Sequence, residues 1–82
     1  MVLEKTHKIT LYNDNKHDFL YVMACLIRIC KHSPEQAEQC ATIVDRKGSY
    51  DIKSGTFNDM YEMLMSLEEL ELTVEINESS LY

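Results

Sequence analysis

The sequence predicts an α+β domain in the order strand, helix, helix, strand, helix, strand, with three helices packed on one face of a small, mainly antiparallel three-stranded sheet. Three observations lead there. Apolar and polar residues alternate in three short stretches. Apolar residues recur at helical spacing in three longer ones. Between them stand residues that turn chains or cap helices: Asn13-Asp14-Asn15, Asp18, Ser33-Pro34, Gly48 and Gly55-Thr56.

The first strand is expected over Thr6 to Tyr12, with Ile9 and Leu11 on one face and Lys8, Thr10 and Tyr12 on the other. Asp18 is a candidate N-cap for a helix whose apolar stripe is Phe19, Val22, Met23, Leu26, Ile29 and Cys30. Leu20, Ala24 and Ile27 widen that stripe, so this helix is expected to be the most buried. Ser33 restarts the chain as an N-cap, with Pro34 at the first helical position and Gln36 completing a capping box. The second helix presents Ala37, Cys40, Ala41 and Val44 inward and ends at Gly48. Ser49 to Ser54 alternates, with Tyr50 and Ile52 opposite Asp51 and Lys53, as a second strand does. Thr56 caps a third helix carried by Phe57, Met60, Tyr61, Leu64 and Leu67. Leu70, Leu72, Val74 and Ile76 alternate with acids and Thr73 in a last strand, before a frayed tail from Asn77 to Tyr82.

Eighty-two residues with 45% hydrophobic content suffice for one modest core. Residues 1–82 are therefore expected to form a single domain, with short flexible ends at about 1–5 and 77–82. A net charge of −6 argues against a nucleic-acid surface, which needs clustered cations. All eight Lys and Arg lie at or before Lys53, while seven of the fourteen acids follow it, so residues 54–82 carry −7. That acidic half is either a solvated helix face or a patch that steers a basic partner. No stretch approaches the ~20 apolar residues needed to span a bilayer, and nothing at the start looks like a signal peptide. No membrane partner is expected.

Cys25, Cys30 and Cys40 cannot all pair, and no CxxC occurs, which points to reduced, buried thiols in a cytoplasmic protein. A zinc site from Cys25, Cys30, His32 and Cys40 is the alternative, but its spacings match no familiar ligand pattern. No metal or cofactor is expected. His7, His17 and His32 are scattered, and no nucleophile sits at a spacing that suggests a paired base, so no enzyme activity is expected. His32 reads as a capping or packing residue.

What remains is the rim between the first strand and first helix, where Asn13-Asp14-Asn15 displays hydrogen-bond acceptors. By themselves these residues are ordinary turn chemistry. Lys8-Ile9-Thr10-Leu11-Tyr12-Asn13-Asp14-Asn15, the helix beginning near Phe19, Glu35-Gln36-Ala37 and Gly48 together resemble the ClpS family, adaptors of the bacterial ATP-dependent Clp protease. The likeness runs over about residues 7 to 76. It implies the compact core that this family shares with the carboxy-terminal domain of a ribosomal stalk protein.

The resemblance implies a binding role: capture of proteins whose first residue is large and apolar, and delivery of them to a AAA+ Clp unfoldase. Carried over by position, Asn13, Asp14 and Asp45 would face the free α-amino group, and Phe19, Val22, Ala41, Val44 and Leu72 would line the socket for the first side chain. The chemistry fits, because a primary ammonium has three donors and no acceptor, so its site needs acceptors only. The expected partners are that unfoldase and the substrate's amino terminus, and the working unit is expected to be a monomer.

Asp45 stands where the family usually has a histidine. Facing the pocket, it adds a second negative charge beside Asp14; facing outward, it is a solvated helix-end residue next to Arg46 and Lys47. His17 and Asp18 replace a frequent Thr-Pro, Asn15 replaces a second Asp, and Phe19, where Met is common, narrows the socket mouth. Asn58 and Met63 replace polar positions on the surface expected to dock the unfoldase. These departures leave an alternative: a divergent module of the same fold that regulates an unfoldase, or binds another protein, without reading amino termini.

Overall fold

A computed structural model describes residues 6–78, so the ends at 1–5 and 79–82 lie outside it. Six elements follow in order: β1 (His7–Tyr12), α1 (Phe19–Cys30), α2 (Pro34–Lys47), β2 (Ser49–Gly55), α3 (Phe57–Glu69) and β3 (Val74–Glu78). This is the predicted α+β architecture, with the strands in one antiparallel sheet ordered β2-β1-β3.

β1 is central because both of its edges are paired and its apolar face is sealed: Ile9 and Leu11 are fully buried. Thr10, on the alternate face, is buried too and donates its hydroxyl to Asp51 Oδ1 at 2.7 Å. Lys8 Nζ lies 3.1 Å from the other oxygen of that carboxylate. A bulge opposite Ile9 and Thr10 leaves Ile52 without a strand partner. Ile52 is buried all the same, whereas Tyr50, expected on its face, is 40% exposed on the edge strand.

The helix boundaries follow the local chemistry. Asp18 accepts the amide of Tyr21 at 2.7 Å. Ser33 and Gln36 bond each other's amides in a complete capping box. α2 stops at Gly48, whose φ of 93° is a backbone that an L side chain rarely adopts. His32, at the α1–α2 junction, is buried with Nε2 2.9 Å from the Ile52 carbonyl oxygen. A carbonyl can only accept, so Nε2 carries the proton, and buried Nδ1 is left with no partner. Cys25, Cys30 and Cys40 are free and buried, and burial pushes the Cys30 thiol up to about 11.

Three expectations need correction. α1 is not buried all round: Leu20 is 73% exposed, Ile27 36%, and Ala24 is exposed as well. Its main packing partners among the elements are α2 and α3, and the extra apolar positions widen the stripe past the surface they cover. Phe57 and Tyr61 also lie outside the core, stacked on each other at 5.6 Å, while Met60, Leu64 and Leu67 face inward. The last strand starts at Val74 rather than Leu70 and runs through Asn77 and Glu78. Before it, Leu70, Glu71 and Leu72 close the end of α3, with Glu71 at φ 65° and the Leu72 amide bonded to the Leu67 carbonyl at 3.3 Å.

Candidate functional site

Three chain segments meet at one end of the sheet. The Asn13 amide donates to the Gly48 carbonyl at 2.8 Å, tying the end of β1 to the end of α2. The Asp18 cap then aims the first turn of α1 at the same place. Between them lies a cavity of about 50 Å³ lined by Asn13, His17, Phe19, Val22, Ala41, Val44 and Asp45. Ala41 and Val44 are buried, Val22 is half-buried, and Phe19 is 38% exposed. The socket is apolar inside, and its polar side chains are an amide, an imidazole and a carboxylate.

Of the positions expected to form a site, six come together on this cavity: Asn13, Phe19, Val22, Ala41, Val44 and Asp45. Two do not. Leu72 is buried in the main core, held there by the turn that closes α3. Asp14 is turned onto its own loop: Oδ1 accepts the amides of Lys16 at 3.0 Å and His17 at 3.3 Å, and Oδ2 lies 2.9 Å from His17 Nδ1. Partial burial pushes the Asp14 carboxyl up, but the Lys16 amide and the His17 ring and amide outweigh it and hold it below the usual carboxylate range. The side chains of Asp14 and His17 are only 14% and 13% exposed. Asn15 takes φ 62° in this turn, a conformation that asparagine tolerates better than most residues.

Asp45 resolves into a position that serves both alternatives: it is exposed, on the last turns of α2, and on the cavity wall. An acid near a helix carboxyl end works against the helix dipole by about 0.3–1 kcal/mol, whereas a ligand cation there is favoured by it. His17 on the cavity wall was not among the expected site residues. The available signal was its spacing, three residues after Asp14 in a tight turn.

A wider, open groove of about 560 Å³ runs between the end of α1, β2 and α3, lined by Arg28, Lys31, Lys53, Met60 and Met63 among others. Its walls are mixed in charge, since Asp59 and Glu62 line it with the three cations. Among the described residues, no group of three or more His, Cys, Asp or Glu gathers as metal ligands, and no helix is long and apolar enough to cross a membrane.

The family model for the ATP-dependent Clp protease adaptor protein ClpS matches residues 3–75. The chain belongs to the ClpS adaptor family. Among solved structures, Agrobacterium tumefaciens ClpS2 bound to L-phenylalaninamide superposes with a TM-score of 0.88, covering 94% of this chain and 100% of that one at 16% identity. That likeness is one of fold. Among curated proteins, the E3 ubiquitin-protein ligase UBR1 of Drosophila melanogaster is 33% identical over 58 residues. The match takes in 71% of this ClpS-family chain and spans about 3% of the ligase's length.

Proposed function

We propose that this chain recognises the free amino terminus of proteins that begin with a large apolar residue and delivers them to a AAA+ Clp unfoldase. The α-ammonium sits on the Asn13 side-chain oxygen and the Asp45 carboxylate, and the first side chain enters the socket of Phe19, Val22, Ala41 and Val44. The observation that carries this reading is the joint placement of an amide and a carboxylate at the mouth of an apolar cavity. An ammonium group needs acceptors and compensating charge, and the side chain next to it needs a dry pocket.

Two comparisons support it. A member of the fold binds L-phenylalaninamide, which is a free amine beside an apolar side chain. A related stretch lies inside a ubiquitin ligase, as fits a recognition module used with more than one destruction machine. Each charge-assisted hydrogen bond contributes about 1.5–3 kcal/mol, and burial of a Leu or Phe side chain a similar ~1.5–3 kcal/mol. The cost of association offsets much of this and keeps the affinity modest, which lets a carrier release its cargo. The chain works as a single cytoplasmic domain without chemistry of its own; ATP hydrolysis belongs to the unfoldase.

A peptide beginning with Phe is expected to bind, and its acetylated twin to bind at least tenfold more weakly, because acetylation removes the charge and two of the donors. Asp45→Asn should weaken the free-amine peptide by about tenfold and leave the acetylated one unchanged. Equal binding of both peptides to the wild-type protein would overturn the reading.

A further inference from the structure

We propose that His17 is a third acceptor for the substrate's α-ammonium, presented in the required tautomer by Asp14. This rests on the reading above and assigns a job to the one cavity-wall side chain that reading leaves idle.

The argument begins with the Asp14 carboxylate. Its Oδ1 is spent on the Lys16 and His17 amides, and Oδ2 meets His17 Nδ1 at 2.9 Å. An ionised carboxylate offers no proton, so the proton of this bond belongs to Nδ1. In a neutral imidazole the other nitrogen then carries a lone pair. Nε2 makes no hydrogen bond among the described residues, and it is not one of the buried orphan nitrogens, so it stays open to a ligand. The ring is held in plane as well as in tautomer, because it stacks on Tyr21 at 4.9 Å with 13° between planes. Tyr21 is anchored in turn by its hydroxyl, which donates to the Leu70 carbonyl at 3.0 Å.

Asn13, Asp45 and His17 all line one cavity and offer among them an amide oxygen, which also accepts the Asn15 amide at 3.4 Å, a carboxylate and a bare ring nitrogen. Three acceptors match the three N–H groups of a primary ammonium. Asp14 acts through His17 as a positioning residue and does not itself touch the substrate.

The test has two readouts. Long-range ¹H–¹⁵N spectra of the free protein at pH 7 should show His17 protonated at Nδ1 and bare at Nε2; the opposite tautomer, or a doubly protonated ring, overturns the proposal. Affinity for the Phe-initiated peptide is then compared between variants at pH 7. His17→Gln, which keeps an acceptor, should bind within about threefold of wild type. His17→Phe, which keeps the stack on Tyr21, should bind about tenfold more weakly at pH 7. Wild-type affinity in His17→Phe, or a loss in His17→Gln as large as that in His17→Phe, removes His17 from the site while leaving the adaptor reading intact. Failure of the wild-type protein to prefer the free amine over its acetylated twin removes both.

Discussion

His32 shows how one residue couples the fold to pH. Burial disfavours the charged ring and pulls its pKa below the ordinary histidine value; the bond to the Ile52 carbonyl opposes this and Lys53 adds to it. The folded protein therefore takes up this proton less readily than the unfolded chain. Stability from this source is complete above about pH 6.5 and is lost as pH falls from there through the folded-state value. Asp51 adds a loss of the same sign in a lower window, below the ordinary carboxylate value of 3.8, because the Thr10 hydroxyl holds its carboxyl down against partial burial, with help from Lys8. The melting temperature is expected to be level above about pH 6.5 and to fall towards pH 5, and His32→Gln should flatten that fall. Parallel curves for the two proteins would show that His32 carries no such linkage.

At the scale of elements, the strongest sequence signals were caps and periodicity, and both are local. Ser33, Pro34, Gln36 and Gly48 bound α2 because each satisfies or spares a backbone group within a few residues. Burial depends on what the rest of the chain brings, and there the reading from spacing ran past the structure. Leu20 and Ala24 sit at helical spacing from the buried stripe, yet nothing among the described residues covers them. Leu70 and Leu72 alternate like a strand but serve as apolar closers of α3, a role set by the αL backbone of Glu71 rather than by any pattern of two. The bulge at Ile52 was likewise invisible, since the alternation of β2 does not reveal which partner residue it skips. Thermal or denaturant unfolding separates these cases. Leu20→Gln and Ala24→Glu should each change stability by less than about 0.5 kcal/mol, whereas Leu26→Ala, at a fully buried position, should cost about 2–5 kcal/mol. A cost above about 1 kcal/mol at Leu20 would mean that this face is covered after all.

For the molecule as a whole, the fold places the candidate site by closing one end of the sheet, with a backbone bond from Asn13 to Gly48 joining β1 to the end of α2. That bond joins residues far apart in sequence, which is why the cavity was legible only through the resemblance to ClpS adaptors and not through spacing. Of the expected apolar residues, Phe19, Val22, Ala41 and Val44 line the cavity with Asn13, while Leu72 does not. The direction of Asp14 was not legible, because whether a turn carboxylate faces its own amides or a ligand is decided by competition among nearby donors, here the Lys16 and His17 amides and the His17 ring. Of the residues that line this cavity, Asp45 is the one that carries a carboxylate. Backbone amide spectra recorded during titration with L-phenylalaninamide locate the binding event directly. The largest shifts should fall at Asn13, His17, Val22, Ala41 and Asp45, with none produced by N-acetyl-L-phenylalaninamide; shifts centred on the groove between α1, β2 and α3, or an equal response to the acetylated compound, would contradict the account.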